Sequence, residues 1–245
     1  MTAAHPLTDL PARGAASRSR ILSVVRLQFI NAQTFVWVPA LVLAGAIICS
    51  LLIYAIIPTD GPIYGGGTQA PMWYFLVIGI QALTLSFPFS QAMSVTRREF
   101  HLGTLAAAAL SAAGVATLVV LLAAIEQLTN GYGGIGFVAY LPWVYSNGWA
   151  SAWLSFLVLT MFGFVVGFWF ATIYKRWGSV VVTLVSLGVA LLLIAALFVF
   201  TRFELWGDVV AWFAHTGPTG LTLYVIGLTA LLAVGSYLTL RRAVP

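Results

Sequence analysis

Between Phe35 and Leu240 the sequence is a succession of apolar runs that are nearly free of charge. Six of them are long enough to cross a bilayer, which takes about 20 residues. They lie near residues 35–57, 71–93, 104–127, 147–171, 179–200 and 218–240. Only 7% of the 245 residues are charged and 61% are hydrophobic. A soluble domain carries about 25% charged residues, so this chain cannot cover its own surface against water. The expected fold is all-α: a polytopic membrane protein of six transmembrane helices, with an N-terminal amphipathic interfacial helix and both termini cytoplasmic.

Turn chemistry separates the runs. Pro58-Thr59-Asp60-Gly61-Pro62 and Gly65-Gly66-Gly67 end the first, Asn130-Gly131 and Gly133-Gly134 end the third, and Gly217-Pro218 opens the sixth. Charge then orients them. Arg13, Arg18, Arg20 and Arg26 precede the first run, Arg97 and Arg98 follow the second, Lys175 and Arg176 follow the fourth, and Arg241 and Arg242 follow the sixth. If the runs alternate in direction, all of these fall on one side. The other side holds Arg202 together with Asp60, Glu204 and Asp208. The basic side is expected to be cytoplasmic.

Ahead of the first run, residues 1–16 read as a flexible cytoplasmic tail and residues 17–34 as the interfacial helix. Ile21, Leu22, Val25 and Phe29 share one helical face, while Arg20, Ser23 and Asn31 face away. A cytoplasmic extension of the first spanning helix is the other reading of the same segment. The run from Phe35 begins too far along the chain for an ordinary signal peptide.

Several function classes fall away on residue content. The net charge of +5 sits at the ends of apolar runs, where it sets orientation, so nucleic acid is not an expected partner. A P-loop needs a lysine after its glycine-rich turn. The only lysine, Lys175, follows Tyr174, so ATP is not bound by this chain in that way. Gly131-Tyr132-Gly133-Gly134-Ile135-Gly136 matches a dinucleotide fingerprint literally, but it follows no strand and lies in an outer loop. His5, His101 and His215 are scattered, and none has a cysteine or carboxylate at metal-ligand spacing. No serine sits in a nucleophile elbow, so catalysis by the chain itself is not expected.

Glu126 stands at the outer end of the third run. An ionisable residue at membrane depth is a functional candidate, and solvation in the headgroup region is the alternative. Gln81 and Thr84 could line a translocation path with it or bond to neighbouring helices. Gly163 and Gly167 form a G-x-x-x-G pair that permits close helix packing, within the chain or between chains. Pro88 should kink the second run just before its charged end.

That charged end is Ser94-Val95-Thr96-Arg97-Arg98-Glu99-Phe100-His101-Leu102-Gly103-Thr104, the densest charged cluster in the chain. A plain positive-inside anchor needs only the two arginines. With the six runs and the amphipathic lead-in, this stretch resembles the first cytoplasmic loop of permease subunits of ABC-2 type ABC transporters, of the small bacterial six-helix kind. The resemblance implies that residues 35–245 form a six-helix ABC-2 type domain in the plasma membrane. It implies that Thr96, Arg97, Arg98, Glu99, Phe100 and His101 form a coupling helix docking on an ABC ATPase subunit, present in two copies. Arg20, Arg26 and Phe29 of the interfacial helix would brace that contact. A second permease subunit, identical or homologous, would complete the path. ATP and Mg would sit on the partner ATPase, with no cofactor on this chain. The cargo expected is amphipathic: drug, peptide antibiotic or lipid. A six-helix substrate-binding membrane subunit of an importer is the alternative.

Overall fold

The computed structural model describes residues 13–30, 32–58, 61–92 and 94–241. Residues 1–12 of the expected tail, together with Asn31, Asp60 and Arg242, lie outside the described residues. The described residues are mostly helical: α1 (Arg13–Ile30), α2 (Val38–Ile56), α3 (Ala70–Gln81), α4 (Phe87–Ala92), α5 (Arg97–Leu128), α6 (Asn130–Gly134), α7 (Pro142–Tyr145), α8 (Trp149–Arg202) and α9 (Trp206–Arg241). The one β-like feature among the described residues is a single bridge between Tyr64 and Phe137.

Among the described residues five helical stretches are long and apolar enough to cross a membrane: Gln33–Ile56, Gly67–Ser90, Arg97–Leu128, Trp149–Arg202 and Trp206–Arg241. Six were expected, and the difference is α8, which takes up both the fourth and fifth runs. Its 54 residues would measure about 80 Å as a straight rod, against a hydrocarbon core of about 30 Å. The helix is broken at Gly178, where φ is 81° and ψ is −178°. That region of backbone space is open essentially to glycine alone. Gly217 breaks α9 in the same way, with φ 65° and ψ 174°, immediately before Pro218.

Two further irregularities have a common cause. A π-helical turn at Gln33–Trp37 precedes Pro39, and another at Ala82–Ser86 precedes Pro88. Each ends two residues before its proline. Proline has no N–H to give to the carbonyl four residues back and its ring crowds that carbonyl, so the preceding turn widens. For Pro39 the carbonyl released is that of Phe35, and the Ser111 hydroxyl of α5 donates to it. The distortion expected from Pro88 is therefore a widened turn at 82–86, with the helix resuming through α4.

The core lies where α3, α5 and α8 meet. Phe75 and Ile78 of α3, Phe100 and Val119 of α5, and Phe164 and Phe168 of α8 are all buried. The inward face of α5 is lined by Ala107, Ala108, Ala112, Ala116 and Ala123, which lets its neighbours approach closely. Gly163 and Gly167 face α3. A methyl group on Gly163 would lie 2.7 Å from the Met72 carbonyl oxygen, and one on Gly167 would collide with that of Leu76. The close approach at this pair is thus within the chain. By contrast, the second limb of α8 is exposed on every side, from Val180 through Leu187 and Ile194 to Phe198.

Candidate functional site

The first turn of α5 is built as a junction. Thr96 and Glu99 form a capping box: the Glu99 N–H donates to Thr96 Oγ1 at 3.2 Å, and the Thr96 N–H donates to Glu99 Oε2 at 3.1 Å. Two of the otherwise unpaired N–H groups at the helix start are satisfied in this way. The charged stretch is thereby the opening of a 32-residue helix, with no separate short helix between α4 and α5. Its side chains then leave in different directions. Arg97 Nη1 donates to the Leu240 and Arg241 carbonyls, both at 3.1 Å. It caps the C-terminus of α9, where unpaired carbonyls and the helix dipole favour a cation. Glu99 Oε1 lies 4.0 Å from Arg20 Nη1 of α1. Phe100 is fully buried, edge-on to Phe87 of α4 with centroids 5.2 Å apart.

His101 is buried too. Its ring meets Phe168 of α8 edge-on at 5.5 Å and Tyr237 of α9 at 5.4 Å. Nε2 lies 3.1 Å from Ser236 Oγ. The Ser236 hydroxyl already donates to the Ala233 carbonyl at 2.8 Å. It has one proton, so His101 Nε2 carries the hydrogen and donates to it. Arg97, Glu99, Phe100 and His101 thus tie α5 to α1, α4, α8 and α9.

This geometry divides the expected docking set. Phe100 and His101 belong to the core and are closed to a partner. Arg97 is spent on α9 and Glu99 on the capping box. Ser94, Thr96 and Arg98 are exposed. On α1, Arg20 is exposed at 61% of its side chain, Arg26 is exposed as well, and Phe29 is half-buried against Phe35.

The sequence marks an apolar face of α1 for the membrane surface and leaves open which face packs on the other helices. Val24 and Gln28 are buried, whereas Leu22 is 59% exposed. Val24 packs against Gly103, where an added methyl would lie 2.5 Å from its Cβ. Gln28 was missed because a glutamine is not read as an inward residue. Here Nε2 donates to Thr104 Oγ1 at 3.1 Å, and the Ser86 hydroxyl donates to Oε1 at 3.3 Å. The hydroxyls at 86 and 104, one ahead of the charged stretch and one at its end, were the available signal.

Gln81, Thr84 and Glu126 are not brought together. Gln81 lines a cavity of about 100 Å³ between α1 and the two π turns, with Gln28, Thr34 and Ser86. Thr84 lines a separate apolar cavity of about 510 Å³ with Ile80, Phe170, Tyr174 and Val182, while its hydroxyl donates to the Ile80 carbonyl at 3.0 Å. Glu126 lies at the opposite end of α5 from the basic junction.

There it is wholly buried, and backbone takes the place of water. Its Oε1 accepts from the Val138 and Ala139 N–H groups, both at 3.1 Å. Oε2 accepts from Ala139 at 2.9 Å and Tyr140 at 2.7 Å. The glycine-rich 131–136 stretch makes this possible. Asn130, Gly131, Tyr132 and Gly133 all have positive φ, a left-handed turn that carries the chain back beneath Glu126. Phe137 then pairs with the loop before α3, its N–H donating to Ile63 O at 2.8 Å and its carbonyl accepting from Gly65 at 3.0 Å. The result is a closed cap over the end of the helices. Burial, and next the Glu126 carboxylate, raise the phenol pKa values of Tyr132 and Tyr145 above the ordinary 10.0.

Comparison with protein-family models, with curated proteins and with solved structures finds no match for this chain.

Proposed function

We propose that this chain is the membrane-spanning permease subunit of an ATP-driven transporter of the ABC-2 type, exporting an amphipathic drug, peptide antibiotic or lipid. The observation that carries the reading is the junction at the start of α5. A push on its exposed tip at Ser94–Thr96 reaches α1 through Glu99, α4 through Phe100, α8 through His101, and α9 through Arg97 and His101. An anchor that only oriented a helix would need none of these ties. A partner that closes on ATP can shift a membrane domain only if it contacts an element whose position differs between two states. In this reading the tip, joined to four other helices, is that element.

In this reading Gly178 divides α8 into two crossings, which makes six in all and leaves both termini on the cytoplasmic side with the basic residues. The docking face is Ser94, Thr96 and the neighbouring Arg20. The ATPase, in two copies, carries ATP and Mg, and the chain itself catalyses nothing. The exposed second limb of α8 faces lipid or a second permease subunit. The cap held by Glu126 is the outer gate. An importer subunit that captures its substrate from outside needs an open polar pocket at that end, and the cap occupies the place.

The test is co-expression with the P-loop ATPase from the same gene neighbourhood. The two should co-purify, and Ser94→Trp or Arg20→Gln, which removes the guanidinium without setting a second acid against Glu99, should reduce both association and substrate-stimulated ATP hydrolysis. Undiminished association and transport in both variants would sink the docking assignment. Charge reversals at Arg97 or Glu99 are poor tests, because both side chains hold the fold together.

A further inference from the structure

A second feature at the basic end has no part in the reading above. A groove of about 310 Å³ runs between α5 and α9, with Arg98, Leu102, Leu105, Ala233, Val234 and Tyr237 on its walls and His101 at its floor. The Arg97 bonds to the end of α9 set the two helices antiparallel, so the groove is polar at one end and apolar beyond it. Arg98 stands at the polar end, and the Arg241 guanidinium lies 5.9 Å from the Tyr237 ring centroid beside it. His101 is not available to a ligand, because Nε2 is committed to Ser236.

We infer that this groove binds one acyl chain of an anionic phospholipid, with the lipid phosphate held by Arg98 and Arg241. The groove runs about 10 Å along α5 from Arg98 to Leu105, and its apolar walls, Leu102, Leu105, Ala233 and Val234, suit an acyl chain. Charge selects the headgroup. Among the described residues Arg98 has no ion-pair partner, and the one carboxylate at this end, Glu99, is turned to Thr96 and Arg20. Among the described residues, then, the Arg98 guanidinium is open to a phosphate and no acid faces the groove to receive the ammonium of a zwitterionic lipid. Basic pockets between helices at headgroup depth are suited to anionic lipids for this reason.

The experiment is native mass spectrometry of the purified full-length chain titrated with phosphatidylglycerol, phosphatidylcholine and glycerol phosphate. Phosphatidylglycerol should bind at least five-fold tighter than phosphatidylcholine. Arg98→Gln, at an exposed position that leaves the fold intact, should weaken phosphatidylglycerol about five-fold and remove the preference, the effect expected for one arginine near the membrane surface. Ala233→Trp, which fills the groove and keeps both arginines, should weaken both lipids. Unchanged phosphatidylglycerol binding in the two variants overturns the site. So does glycerol phosphate binding as tightly as the lipid, since the groove would then contribute nothing.

Discussion

Glu126 is a carboxylate with no water around it, and its stability rests on the N–H groups of Val138, Ala139 and Tyr140. Glu126→Gln keeps the size of the side chain but turns an amide NH₂ toward those donors. Hydrogen bonds to a charged group are worth about 1.5–3 kcal/mol, so the variant should lose about 2 kcal/mol of stability. It should also expose the 129–148 segment to protease while α5 stays protected. Neither reading of Glu126 open from sequence, a path-lining acid or a solvated one, foresees a carboxylate wrapped by its own downstream loop. The partner residues are backbone groups twelve and more positions away, and backbone carries no sequence signature. The phenols beside it give a pH dependence. Tyr132 and Tyr145 have folded pKa values above 10.0. They contribute stability that is complete below pH 10 and is lost as pH rises through the folded values. Protease resistance of the cap should therefore be flat from neutral pH to about 10 and fall above it.

Helix by helix, the apolar runs were legible because a bilayer crossing requires a continuous apolar stretch whatever the tertiary contacts are. The ends of the first two runs agree with the helices to within about four positions, whereas α5 starts at Arg97 rather than near 104 and α9 at Trp206 rather than near 218. The irregular places were not legible: both widened turns follow from prolines, yet only Pro88 was read as a distortion, because Pro39 sits early in its run and looks like a helix start. The inward face of α1 was not legible for a related reason. Hydrophobic spacing identifies the apolar face, and in lipid that face can point outward while a satisfied glutamine points in. The α3–α8 crossing gives a test at this scale. Gly167→Ala should destabilise by about 1–2 kcal/mol, since overpacking against the Leu76 carbonyl outweighs the roughly 1 kcal/mol gained in helix propensity. Gly188→Ala, where an added methyl meets nothing within 4 Å, should be neutral or stabilising. Melting temperatures of the two variants in one detergent decide it. Equal shifts would mean that the close approach is not there.

Across the whole molecule, charge and helix direction agree. Arg20, Arg97, Arg98 and Arg241 gather at one end through the Arg97–α9 and Arg20–Glu99 contacts, and the Glu126 cap closes the other. The step from five long helices to six crossings depends on Gly178. Gly178→Val strains a backbone geometry that costs a side chain about 1–3 kcal/mol. It should favour a continuous rod, and a cysteine in place of Glu204 should then lose its labelling from the outer face. Unaltered labelling would place the turn elsewhere. The proposal that an ATPase drives these helices from the basic end is tested most directly by photo-cross-linking. A photoreactive amino acid is placed at Ser94, in cells that also express the P-loop ATPase from the same gene neighbourhood. The expected product is an adduct with a P-loop-bearing subunit that is weakened by Arg20→Gln. A folded, membrane-inserted chain that gives no ATPase adduct from position 94 would contradict the proposal.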